Sequence, residues 1–163
     1  MARPTRSTPL YTPEQRRRRD ASRWTVVQGV LAPLQLLVCL GSAILVARYL
    51  GTGAGWGVAA MSVALKTALL YLIMITGAIW EHDVFGQYLF APAFFWEDVV
   101  SFVVLALHTA YLAAWGLGLA APRTLAILAL VAYAAYAANA AQFLWKLRLA
   151  RRDAMALPEG VPA

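Results

Sequence analysis

The sequence predicts an all-α polytopic membrane protein, a four-transmembrane-helix bundle with both termini cytoplasmic. Three observations predict it. Of the 163 residues, 61% are hydrophobic and 13% charged, where a soluble domain carries about 45–50% and about 25%. Four apolar runs reach the roughly 20 residues that a helix needs to cross a bilayer core. Lysine and arginine lie almost entirely outside those runs, and mostly on one side of them.

This composition excludes an ordinary water-soluble enzyme, a disordered chain and a disulfide scaffold. The net charge of +6 does not point to nucleic acid, because the basic residues sit at the two ends of the chain rather than on one folded face. The single cysteine, Cys39, lies inside an apolar run. It can form neither an internal disulfide nor a CxxC site, and reads as a small packed hydrophobe.

Taken in order, residues 1–23 form a basic arm rich in Pro, Thr and Arg, expected to be flexible with its arginines on anionic lipid. Residues 24–148 form the transmembrane domain. The first span, about 24–48, has no formal charge between Trp24 and Ala47. The glycines Gly51, Gly53, Gly55 and Gly57 mark the turn after it. The second span, about 57–80, is interrupted only by Lys66. The segment Glu81 to Asp98 connects it to the third span, about 97–121, and Pro122 marks the next turn. The fourth span covers about 123–146, and 149–163 is a short cytoplasmic tail. The six tryptophans, Trp24, Trp56, Trp80, Trp96, Trp115 and Trp145, fall at or near span ends, as interfacial aromatic belts require. The first apolar run exceeds the ~7–15 residues of a signal peptide, and no clear cleavage site follows it. No internal repeat of the transporter kind is present.

Orientation follows from the basic residues. Arg3, Arg6, Arg16, Arg17, Arg18, Arg19 and Arg23 precede the first span, and Lys146, Arg148, Arg151 and Arg152 follow the fourth. The opposite side has only Arg48 and Arg123. The positive-inside rule puts both ends in the cytoplasm, and an even span count requires them to share a side. The Glu81–Asp98 connector is then cytoplasmic too.

Polar residues inside a span are costly and face the bundle interior. Gln28, Gln35 and Ser42 recur every seven residues on the first span, so they share one face. Ser62 and Lys66 share a face of the second. Glu97, Ser101, His108 and Tyr111 line the third, and Tyr136, Asn139, Gln142 and Lys146 the fourth. At about 1.5 Å per residue, Lys66 lies roughly 21 Å and His108 roughly 16 Å from the cytoplasmic ends of their spans. Gln35 has a similar depth. The expectation is a polar interior with a cavity that opens toward the cytoplasm and tapers inward.

Each polar group has a structural reading beside the functional one. Lys66 can fix packing or snorkel. His108 can be a hydrogen-bonded core histidine. Glu97 and Asp98 can favour or cap the helix N-terminus. Gln35 and Asn139 can be interhelical hydrogen-bond glue. The connector combines four carboxylates with six aromatics and has no lysine or arginine. That suits a large, flat, apolar molecule held beside an acid, or an interfacial loop anchored by its rings.

Four stretches carry a resemblance. They are Tyr11-Thr-Pro-Glu-Gln-Arg-Arg-Arg-Arg-Asp20; Val27-Gln-Gly-Val-Leu-Ala-Pro-Leu-Gln35; Thr76-Gly-Ala-Ile-Trp-Glu81 with Phe85-Gly-Gln-Tyr-Leu-Phe-Ala-Pro-Ala-Phe-Phe-Trp-Glu-Asp-Val-Val-Ser101 and Ala106-Leu-His-Thr-Ala-Tyr111; and Asn139-Ala-Ala-Gln-Phe-Leu-Trp-Lys-Leu-Arg148. Through them the chain resembles the 3-vinyl bacteriochlorophyllide hydratase family of anoxygenic phototrophs. The Phe-Ala-Pro-Ala-Phe-Phe-Trp-Glu-Asp run is the most specific part, and His82 and Asp83 are not carried over.

The resemblance implies that water adds across the C3 vinyl group of a chlorophyllide-type macrocycle to give a 1-hydroxyethyl group. It implies no redox cofactor, since the magnesium belongs to the substrate. It implies a bacterial inner membrane, cytoplasmic or intracytoplasmic and photosynthetic, with other pigment-synthesis enzymes or a second copy of the chain as possible partners. Hydrating an alkene needs a proton on the terminal carbon and water on the inner one. A carboxylic acid in an apolar setting keeps its proton longer than one in water. Glu97 or Asp98 is therefore the expected general acid, with the other carboxylate or Glu81 orienting water as base. His108 is expected either to ligate the substrate magnesium axially or to handle the proton. Gln35, Lys66, Tyr88, Phe94, Trp96, Tyr111, Asn139, Gln142 and Lys146 are expected to contact the substrate. Arg23, Lys146 and Arg148 lie where its propionate would reach the interface. A non-catalytic pigment-binding scaffold or assembly factor is the competing reading, and a small transporter ranks below both.

Overall fold

The computed structural model describes residues 10–155, with side chains described through Arg151. Arg3, Arg6, the side chain of Arg152 and residues 156–163 lie outside the described residues. Among the described residues five helices follow one another: α1 (Pro13–Ala21), α2 (Arg23–Thr52), α3 (Trp56–Phe85), α4 (Phe95–Gly116) and α5 (Pro122–Met155). The last four are long and apolar enough to cross a membrane.

Residues 13–21 are helical rather than a flexible arm. The Thr12 hydroxyl accepts from the Gln15 N–H while the Gln15 side chain accepts from the Thr12 N–H. This reciprocal cap, with Pro13 at the first position, satisfies donors that a helix start otherwise leaves free. Glu14 pairs with Arg17 and Arg18 one turn on. Tyr11 then anchors the segment, 4% exposed in a small core with Val84 and Phe94.

Two hairpins make the bundle. In the first, α2 ends at Gly53, which holds φ +72° and donates its N–H to the Tyr49 carbonyl. That left-handed stop suits glycine, which lacks a Cβ. In the second, α4 and α5 join through a tight turn at 117–121. The third span stops at Gly116, short of the expected 121, because Gly118 takes a positive φ of 64°. Close contact is extensive within the α2–α3 and α4–α5 hairpins and sparser between α3 and α4. The last helix runs on to Met155, past the expected 146.

The outward faces carry Val26, Leu37, Ile44 and Val58, each more than half exposed. In a bilayer these faces meet lipid tails rather than water. Inside, small residues such as Ala59, Ala60, Ala126 and Ala129 are buried and let the helices approach closely. The four polar stripes do face inward: Gln35, Ser42, Lys66, Ser101, His108, Tyr111 and Asn139 are all buried.

Candidate active site

The connector between spans two and three is shorter than the sequence predicts. α3 continues through Glu81 to Phe85, α4 starts at Phe95, and only residues 86–94 remain as loop. Glu81 is thus an inward residue of the last turns of α3, and Glu97 and Asp98 sit in the first turn of α4. All three carboxylates are buried.

The loop backbone organises two of them. Phe90 holds a positive φ of 59°, in the left-handed region that a residue with a Cβ seldom occupies. Its N–H donates to Asp98 Oδ2 at 2.7 Å, and the next N–H, that of Ala91, donates to Glu81 Oε2 at 3.2 Å. Consecutive amides converging on anions form a nest. The two carboxyl groups lie within hydrogen-bonding reach of each other. Neither Glu97 nor Asp98 makes a side-chain cap of α4, although both sit where the helix dipole favours negative charge.

Glu97 turns the other way. Its Oε2 accepts from Lys146 Nζ of α5 at 2.5 Å, and that ammonium also lies 5.1 Å from the Phe94 ring centroid. Below it, Asn139 donates to the Ser101 hydroxyl at 2.7 Å. Gln28 donates to Thr76 at 2.8 Å and Trp80 to Thr25 at 2.9 Å, tying α2 to α3. Gln142 Oε1 and Asn139 Oδ1 are buried without a hydrogen-bond partner among the described residues.

A second polar layer lies deeper. Lys66 Nζ sits 3.8 Å from the Tyr136 ring centroid, a cation–π arrangement. His108 Nδ1 lies 2.8 Å from the Val104 carbonyl. A carbonyl only accepts, so Nδ1 carries a proton and donates it to that carbonyl. The Ser42 hydroxyl bonds to both Ser62 and Tyr133. Gln35 Nε2, Lys66 Nζ, His108 Nε2 and Tyr111 OH have no hydrogen-bond partner among the described residues. Lys66, His108 and Tyr111 have zero exposure, so side chains fill the middle of the bundle where a tapering cavity was expected.

The remaining expected contact residues scatter. Phe94 is 2% exposed and packs among Tyr11, Trp80, Phe85 and Phe143, so it is a core ring with no face open. Tyr88 is exposed and stacks on His82 at 4.3 Å. Trp96 is exposed against the edge of Phe95. The amides of Phe90 and Ala91 escape a side-chain reading altogether, because backbone donors have no signature in residue type.

Fold and site define an all-helical protein with four helices long and apolar enough to cross a membrane and a buried carboxyl pair at one end of its bundle. The family model for 2-vinyl bacteriochlorophyllide hydratase matches residues 11–149. A relative from Cereibacter sphaeroides is 64% identical over 148 residues, covering 90% of this chain and 91% of the relative. One from Rhodobacter capsulatus is 58% identical over 152 residues, covering 93% and 88%. Both are named 2-vinyl bacteriochlorophyllide hydratase. No solved structure matches. The chain belongs to the 2-vinyl bacteriochlorophyllide hydratase family.

Proposed function

We propose that this chain hydrates the vinyl group of a bacteriochlorophyllide-type macrocycle, the substituent numbered 2 in its relatives' names and 3 in systematic numbering. Family membership supports the reaction. The observation that carries the mechanism is the Glu81–Asp98 pair, held by consecutive amides of one loop. Two neighbouring carboxyl groups working with one proton supply a donor and an acceptor together. One protonates the terminal vinyl carbon, and the conjugated ring spreads the positive charge. The other takes a proton from water as its oxygen bonds to the inner carbon. A proton passed between the two carboxyls restores the pair.

The addition is redox-neutral, so the mechanism calls on no redox cofactor, and the magnesium stays part of the substrate. Glu97 is held by Lys146 and keeps the pair in place rather than reacting. His108, enclosed and bonded to its own helix, serves the bundle. Both termini face the cytoplasm of a photosynthetic membrane. The arginines of α1 and the basic residues Lys146, Arg148 and Arg151 of α5 support this, set against Arg48 and Arg123 at the other end.

Membranes containing the chain, given chlorophyllide a in water enriched in heavy oxygen, should yield pigment heavier by one labelled water. Pigment that binds but never gains water would support a scaffold instead.

A further inference from the structure

The carboxyl pair is buried, so a macrocycle must reach it from one side. At the loop end, three exposed rings gather beside the pair. Phe90 of the loop stacks on Phe102 of α4 with centroids 5.5 Å apart and planes 15° apart. Phe95 lies 5.7 Å from Phe90. Each of the three is at least 38% exposed. The residue that carries the first ring is the one whose N–H holds Asp98. The loop that carries Phe90 joins α3 to α4, and the seam between those two helices is more sparsely packed than either hairpin. Further along that seam the exposed Tyr71 and Thr109 hydroxyls bond to each other at 2.6 Å.

We propose that the α3–α4 seam is where the macrocycle docks, arriving sideways from the lipid and lying on the Phe90, Phe95 and Phe102 rings with its vinyl edge toward Asp98. This rests on the hydratase reading. A flat conjugated ring gains most from offset stacking on flat side chains, and an apolar pigment partitions into lipid before it meets the protein. The left-handed backbone at Phe90 serves both ends of the contact. It turns the ring outward while the N–H points inward.

The test uses full-length protein in lipid nanodiscs, with chlorophyllide a as the probe. Pigment affinity is read by fluorescence and turnover by label uptake in the same samples. Phe90→Gly keeps the left-handed backbone and removes the ring, and Phe102→Ala removes its partner. Each should weaken affinity and raise KM about tenfold, with the kcat of Phe102→Ala within about threefold of the parent. Leu37→Ala, on an outward face of α2, should change neither. Unchanged affinity and KM in both ring variants would overturn the docking surface. A parent protein that binds pigment but adds no water would overturn the hydratase reading alone, since the affinity comparison would still judge the surface.

Discussion

Asp98 and Glu81 belong to different helices, yet they are bound by adjacent backbone amides of the loop between those helices, Asp98 by Phe90 at 2.7 Å and Glu81 by Ala91 at 3.2 Å. Loop, helix end and helix start thereby form one unit. Any displacement of the loop moves both carboxyls together.

Removing either acid should stop the chemistry while sparing the fold. Asp98→Asn and Glu81→Gln should each lower hydration about 10²–10⁴-fold, the usual range for a general acid or base. The double variant should be little worse than the stronger single one, because groups that act as a unit are not additive. Circular dichroism should stay helical in all three. Full hydration by both single variants would sink the assignment.

Glu97→Gln should retain much more turnover than Asp98→Asn, since its carboxylate is engaged by Lys146. Lys146→Met leaves that largely buried carboxylate uncompensated. Allowing for the ammonium's partial exposure, it should cost about 1–3 kcal/mol, seen as a lower melting temperature in detergent. Adding Glu97→Gln to Lys146→Met should recover part of the loss.

Lys66 is enclosed with a ring beneath it and no anion among its described contacts. Replacing it with Met should leave stability unchanged or raise it by up to about 3 kcal/mol. A marked loss of stability in Lys66→Met would mean that the ammonium has a partner in the membrane.

The first helix offers a pH signature. Hydrogen bonds from the Arg18 and Arg17 guanidiniums hold the exposed Glu14 carboxyl below its ordinary range. A carboxylate lowered by folding adds stability above its unfolded value and loses it as pH falls through the folded one. Amide protection in α1 should therefore be full at neutral pH and decline in acid, and Glu14→Gln should remove that dependence. Thr12→Ala should loosen the helix by about 1 kcal/mol at any pH.

Much of the bundle was legible because membrane helices are written locally. A run long enough to span needs no partner to be recognised, and neither does a stripe of Gln28, Gln35 and Ser42 seven residues apart. Helix ends were less legible. The sequence predicts a loop from Glu81, but α3 carries its helical bonds on to Gly86, where a left-handed glycine ends it. The flexible arm was expected from charge and proline. In the structure, the capping pair at Thr12 and Gln15 and the burial of Tyr11 order residues 11–21 instead.

By itself the sequence determined four helices long and apolar enough to span a membrane, their polar faces and the family, because length, periodicity and motif are properties of neighbouring residues. Which carboxylates lie together was decided by tertiary structure alone. Glu97 and Asp98 are neighbours in the chain, but successive helix positions point about 100° apart. One therefore meets Lys146 of α5, and the other meets Glu81 of α3 and a loop amide. That choice depends on where other helices stand, which neither residue encodes.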